Sequence, residues 1–118
     1  VIQYYYSLIQ YCPNLARLEV ANIGLVLFCP DNDFLTVRLS QDDERINRMF
    51  KTKIKDSLFA IMKEGLRQKL MTLKSLDELN SYASMLVNSF RMTQFMPCRI
   101  SQEDGYDELD KMFDDLVN

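Results

Sequence analysis

Val20-Ala21-Asn22-Ile23-Gly24-Leu25-Val26-Leu27-Phe28-Cys29, then Pro30-Asp31-Asn32-Asp33, then Phe34-Leu35-Thr36-Val37-Arg38-Leu39, is the stretch that decides the fold. From Ile23 onward the first segment is apolar at successive positions. Such a segment is apolar on both faces, so residues 20–29 are expected to form a central strand. The next four residues suit a tight turn, because Pro fixes φ and Asp and Asn bond their own backbone. The third segment alternates, with Leu35, Val37 and Leu39 facing one way. Two strands joined by so short a turn pair antiparallel. Upstream, residues 2–12 (Ile-Gln-Tyr-Tyr-Tyr-Ser-Leu-Ile-Gln-Tyr-Cys) are β-branched and aromatic, and Pro13-Asn14 ends them. Three consecutive strands with short connections make an antiparallel meander.

Downstream the hydrophobic period changes. Ser40 is a helix cap before Asp42, Asp43 and Glu44, with Arg45 and Arg48 in later turns, as the helix dipole favours. A short helix through Phe50 is expected. A longer one follows from about Lys53 to Met71, with Ile54, Leu58, Ile61, Met62, Leu66, Leu70 and Leu73 on one stripe. Gly65 interrupts it and suggests close approach to the sheet. Ser75-Leu76-Asp77-Glu78 is a capping-box pattern. It opens a helix with Leu76, Leu79, Tyr82, Ala83, Leu86 and Val87 inward. Residues 89–100 return to strand character, and Pro97, which has no N–H to donate, means that this strand lies at an edge or ends there. After Asp104-Gly105, a last amphipathic helix turns Tyr106, Leu109, Met112, Phe113 and Leu116 inward. The order is β-β-β-α-α-α-β-α. It predicts one α+β domain over residues 1–118, a four-stranded antiparallel sheet covered by helices on one face.

The composition narrows the function. The chain has 118 residues, 47% of them hydrophobic and 26% charged, enough to bury a core without staples. Its longest apolar run, Ile23 to Cys29, is far short of the roughly 20 residues of a membrane-spanning helix. No membrane partner is expected. No charged-then-apolar leader opens the sequence, so a cytoplasmic location is expected, and the initial Val suggests a trimmed N-terminus. There is no histidine, which excludes His-based acid–base catalysis and His-ligated metals. Three glycines cannot build a phosphate loop. Cys12, Cys29 and Cys98 are odd in number and unpaired in spacing, so they read as buried hydrophobes. No cofactor, metal or catalytic set is expected.

Net charge is −3, but it is unevenly spread. Arg45 to Lys74 holds nine basic residues against two acidic ones, and Gln102 to Asn118 seven acidic against one basic. These are either solvated helix faces that neutralise each other or a basic face for an anionic partner. Arg45, Arg48, Lys51, Lys53 and Lys55 are the candidate basic face.

The segment Arg17-Leu18-Glu19-Val20-Ala21-Asn22-Ile23-Gly24, after an aromatic strand ending in Tyr11 and a Pro, resembles the bacterial family catalogued as domain of unknown function 3037. In that family an Arg-Gly-Glu-x-x-Asn-x-Gly run leads into an apolar strand. Here Leu18 stands where the family has Gly. The resemblance continues through Phe34-Leu35-Thr36-Val37-Arg38 and ends in Leu109-Asp110-Lys111-Met112-Phe113-Asp114-Asp115-Leu116-Val117. The family name carries no activity. The resemblance implies a small bacterial cytoplasmic protein. The resemblance also implies HipA-like kinases as gene neighbours, and with them an accessory role in a toxin–antitoxin-like, stress or phage-related system.

Arg17, Glu19 and Asn22 are polar groups at the entrance to an apolar strand, and they are candidate binding residues with Arg38. Arg17 and Glu19 are two apart and share a face on an extended chain. The alternative is a structural polar knot that fixes the hairpin. Asp31 and Asp33 with Asp42 and Asp43 fit turns and a helix start better than a metal site. Tyr4, Tyr5, Tyr6 and Tyr11 fit a core better than a base-stacking platform. The sequence therefore suggests a non-enzymatic protein-interaction module with a protein partner, a HipA-like kinase by family association. The alternative is a nucleic-acid-binding or carboxylate-metal nuclease-like protein using residues 45–74. Self-association through the edge near Pro97 is compatible with either.

Overall fold

The computed structural model describes residues 2–14, 19–41, 46, 48, 56–86, 90–100 and 105–117. Their elements run β1 (Ile2–Asn14), β2 (Glu19–Cys29), β3 (Phe34–Leu39), α1 (Asp56–Met71), α2 (Leu76–Met85), β4 (Phe90–Met92), β5 (Met96–Ile100) and α3 (Gly105–Leu116). The sheet order is β3-β2-β1-β4, with β5 also on β1, and every pairing is antiparallel. The α+β class and the meander are as expected. Residues 42–45, 47 and 49–55 lie outside the described set, and with them most of the expected helix after Ser40. Ile46 and Arg48 are helical, and Ile46 is buried.

The expected fourth strand is two short ones. Tyr6 opposes Met96 and Ile9 opposes Met92, so three steps along β1 match four along the β4–β5 segment. Thr93 fills the break. Its N–H donates to the Leu8 carbonyl at 3.0 Å, and its Oγ1 accepts the Leu8 N–H at 2.9 Å. Ser7, fully buried, donates its hydroxyl to the Thr93 carbonyl at 2.6 Å, which satisfies a group otherwise costly to bury. The extra residue turns Phe95 into the core. Pro97 sits on the outer strand, as its missing N–H requires.

A bulge also sits in β2. Ile9 opposes Gly24 while Gln10 opposes Asn22, leaving Ile23 as the extra residue. Its carbonyl accepts the Ser40 N–H at 2.7 Å. The bulge resets the alternation, so Ala21 and Ile23 share a face with Val26 and Phe28, and Leu25, Leu27 and Cys29 take the other. Gly24 suits the crowding there. A Cβ would lie 2.6 Å from Leu39 Cδ2 and 3.0 Å from the Arg38 carbonyl oxygen.

Both faces of the sheet are covered. On one, Ile9, Val26, Phe28, Val37 and Phe90 meet Phe59, Leu66 and Leu70 of α1 and Leu79 of α2. On the other, Tyr4, Leu25, Leu27 and Ile100 meet Leu109 and Phe113 of α3 and then Val117. The expectation of helices on one face only is therefore corrected: α1 and α2 cover one face and α3 the other. The doubly apolar β2 is explained by α3 taking the opposite face.

The inward stripe of α1 differs from expectation. Phe59, Lys63, Leu66 and Leu70 are buried, whereas Ile61 is 68% exposed and Met62 also faces out. A hydropathy pattern rejects Lys63, yet only 7% of it is accessible. Its stem lies in the core, its Nζ donates to the Ser40 carbonyl at 3.0 Å, and it sits 4.9 Å over the Phe59 ring. Gly65 faces solvent with nothing near a would-be Cβ, so it marks no close approach. In α3 the inward row is Leu109, Phe113 and Val117, with Tyr106 and Leu116 exposed. The capping box of α2 is present: Ser75 Oγ accepts the Glu78 N–H at 3.1 Å, and the Glu78 carboxylate accepts the Lys74 N–H at 2.7 Å.

Candidate functional site

The two fully described candidate residues both tie the sheet to α3. Asn22, at the β2 bulge, accepts a hydrogen bond from Gln10 Nε2 through its Oδ1 at 2.9 Å. Its Nδ2 donates to the Leu116 carbonyl, also at 2.9 Å. One amide thus joins two strands to the C-terminal end of a helix, where carbonyls lack intrahelical partners. Arg38, on β3, pairs with the Asp110 carboxylate and lies 5.8 Å from the centre of the Phe113 ring. The pair is solvated, with side chains 40% and 55% exposed, so its net contribution is under about 1 kcal/mol. Arg17 lies outside the described residues. Glu19 opposes Asn14 at the end of the β1–β2 ladder.

Of the candidate basic face, Arg48 is helical and exposed. Arg45, Lys51, Lys53 and Lys55 lie outside the described residues. Further along the stretch, Arg67, Lys69 and Lys74 are exposed, and Arg67 pairs with Glu64 one turn away at 3.2 Å. The acidic outer side of α3 carries Asp107, Asp110, Asp114 and Asp115. It lies across the sheet from α1, so this part of the basic stretch and the acidic helix do not neutralise each other.

Asp31 and Asp33 are exposed turn residues, and Asp33 takes a left-handed φ of 52° that Asp tolerates. Asp42 and Asp43 lie outside the described residues. No acidic or thiol group able to hold a metal is found among the described residues. The tyrosines of β1 are packed. Tyr4 meets Phe34 edge-on, with ring centres 5.9 Å apart, and Tyr11 meets Phe59 at 5.0 Å. Burial raises the Tyr4, Tyr11 and Tyr82 hydroxyls above their ordinary pKa. The Cys98 thiol is raised too, by burial first and then by the Glu108 carboxylate, the opposite of an activated nucleophile.

A feature the sequence pattern missed lies on the α1–α2 hairpin. Leu73, Tyr82 and Met85, with Lys69, Asp77 and Glu78, line an open groove of about 470 Å³. Met85 is 72% exposed, and Ile61, Met62 and Met71 add apolar surface on α1. Their signal was the seven methionines and an α1 stripe with more apolar residues than one face holds.

The model of the family described as Protein of unknown function (DUF3037) matches residues 6–117. The chain belongs to this family. The match spans Asn22, Arg38, both halves of the hairpin groove and α3. No curated protein and no solved structure matches the chain. Among the described residues, no helix is long and apolar enough to cross a membrane.

Proposed function

We propose that this DUF3037 chain is a non-enzymatic protein-interaction module that docks a protein partner on the outer face of the α1–α2 hairpin. The observation that carries this is the exposure of Ile61 and Met62 on α1 and of Met85 on α2, with Met85 in the wall of the hairpin groove. Large apolar side chains grouped on one helical surface gain free energy when a partner covers them. Methionine adapts to varied partner shapes. Asn22 and Arg38 then serve the module indirectly, by holding α3 to the sheet. The family's association with HipA-like kinases makes such a kinase the first bacterial cytoplasmic partner to test, in the setting of a toxin–antitoxin-like, stress or phage-related system.

A second reading has its own observation. Arg48, Arg67, Lys69 and Lys74 are exposed, and a surface rich in basic side chains attracts nucleic acid. Affinity capture from a bacterial lysate, with and without nuclease, separates the two. The interaction module keeps a stoichiometric protein partner in both halves. Ile61→Glu or Met85→Glu then weakens capture at least about tenfold while the far-ultraviolet spectrum is unchanged. A partner set that vanishes with nuclease, together with DNA or RNA binding that falls steeply as salt rises, moves the assignment to the basic face.

A further inference from the structure

The two edges of the sheet are equipped differently. The β4–β5 edge is broken at residues 93–95, carries Pro97, and exposes Arg91 and Arg99. Interruptions, prolines and outward charges are the devices that discourage a strand from pairing with another chain. The β3 edge has none of them among the described residues. Phe34 to Leu39 pair with Cys29 to Gly24 at six successive positions without a shift. The strand holds no proline and one charge, Arg38, which is drawn onto Asp110 and Phe113. The Ser40 N–H points to Ile23 of β2. By strand alternation, the N–H and C=O of Leu35, Val37 and Leu39 then point away from the sheet. Beside this edge Tyr106 is 64% exposed and meets Phe34 edge-on, with ring centres 5.2 Å apart.

We propose that β3 is a self-pairing edge: two copies join their β3 strands antiparallel about a two-fold axis at Thr36, making one continuous sheet. The strand is complementary to itself in that register. Leu35 opposes the partner's Val37, and both are residues whose backbone groups point outward, so each such pair exchanges two hydrogen bonds. Thr36 opposes the partner's Thr36, a favourable cross-strand pair. Phe34 lies across from the partner's Arg38, which keeps the two Arg38 side chains apart and sets a cation beside an aromatic ring. Side chains of each parity stay on the same side of the joined sheet, because 34, 36 and 38 share one face and 35 and 37 the other. A foreign strand has no such requirement met by this sequence. The self-pairing goes beyond the hairpin-docking function and uses a different surface.

Sedimentation equilibrium of the full chain tests it, with Thr36→Lys and Thr36→Cys as variants. A concentration-dependent dimer is expected for the unaltered chain. Thr36→Lys sets like charges on the axis and weakens that dimer about fivefold or more. Thr36→Cys places two thiols in a non-hydrogen-bonded antiparallel pair, with Cα atoms about 4.5 Å apart, within disulfide reach. It therefore forms a covalent dimer on mild oxidation, while the unaltered chain, with its buried Cys12 and Cys29 and half-buried Cys98, does not. A chain that stays monomeric to several hundred micromolar overturns the proposal. So does a dimer that survives Thr36→Lys and gives no cross-link from Thr36→Cys. Ile61→Glu leaves the dimer unchanged, which keeps this result independent of hairpin docking.

Discussion

The two faces of the sheet are held by different physics. On the α1–α2 face, Tyr11, Phe59 and Phe90 form a three-ring cluster with centres 5.0 to 5.8 Å apart, and two helices add Leu66, Leu70 and Leu79. That layer is secured by buried area, about 25 cal/mol per Å² of apolar surface. The α3 face has one helix, anchored by Leu109, Phe113 and Val117, plus two polar ties through Asn22 and Arg38. The contrast teaches that the α1–α2 layer belongs to the cooperative core. The α3 layer, held by one helix and two polar ties, is expected to open before it.

The sharpest way to break this contrast is to make equivalent cavities on both sides. Leu70→Ala and Leu109→Ala each remove a side chain with 0% and 1% accessibility, and each costs about 3 kcal/mol. Leu70→Ala lowers the free energy of global unfolding and raises hydrogen exchange throughout the sheet. Leu109→Ala raises exchange first in α3 and at Tyr4, Leu25 and Leu27. Equal exchange patterns for the two variants erase the distinction.

A smaller effect is expected from the polar ties. Asn22→Ala removes bonds to Gln10 and Leu116 and costs about 1 to 2 kcal/mol in chemical denaturation, with faster amide exchange at the end of α3. Asp110→Asn, at the solvated pair, costs under about 1 kcal/mol, and less as salt is added. An Asp110→Asn penalty larger than that of Asn22→Ala reverses the assigned ranking.

The smallest effect is alkaline. Tyr11 and Tyr82 on the hairpin side, and Tyr4 and Cys98 on the α3 side, have pKa values raised in the folded state. The unfolded chain then releases protons first, so stability is full below pH 9, the ordinary value for the thiol, and declines as pH rises through it and then through 10 for the tyrosines. Denaturation midpoints from pH 8 to 11 check this. Cys98→Ala is expected to flatten the first part of the decline, and an unchanged slope removes Cys98 from the account.

Much of this arrangement was legible in the chain. Unbroken apolarity after Ile23 marked β2 as a central strand, although helices were expected on one face of the sheet only, and Ser75 with Glu78 marked the start of α2. The bulge at Ile23 was not legible, because side-chain parity resets only against a partner strand, although Gly24 beside it was the trace. Lys63 was hidden by its charge. Its four-three-four spacing with Phe59, Leu66 and Leu70 was the signal, and hydropathy alone discards it. Asn22 and Arg38 stood out as polar groups on apolar strands. Their partners, Leu116 and Asp110, lie 94 and 72 residues away, beyond any local pattern.

The placement of β1 has a consequence for synthesis. It pairs on one side with β2, which follows at once, and on the other with β4 and β5, where Leu8 meets Thr93 across 85 residues. During translation the β1–β2 hairpin can close early, but the outer flank of β1, lined by Tyr4, Tyr5 and Tyr6, stays bare until the segment ending at Ile100 leaves the ribosome. So long a wait for a non-local strand slows folding and exposes a sticky edge. The nascent chain, rather than the finished domain, is the form expected to aggregate more readily.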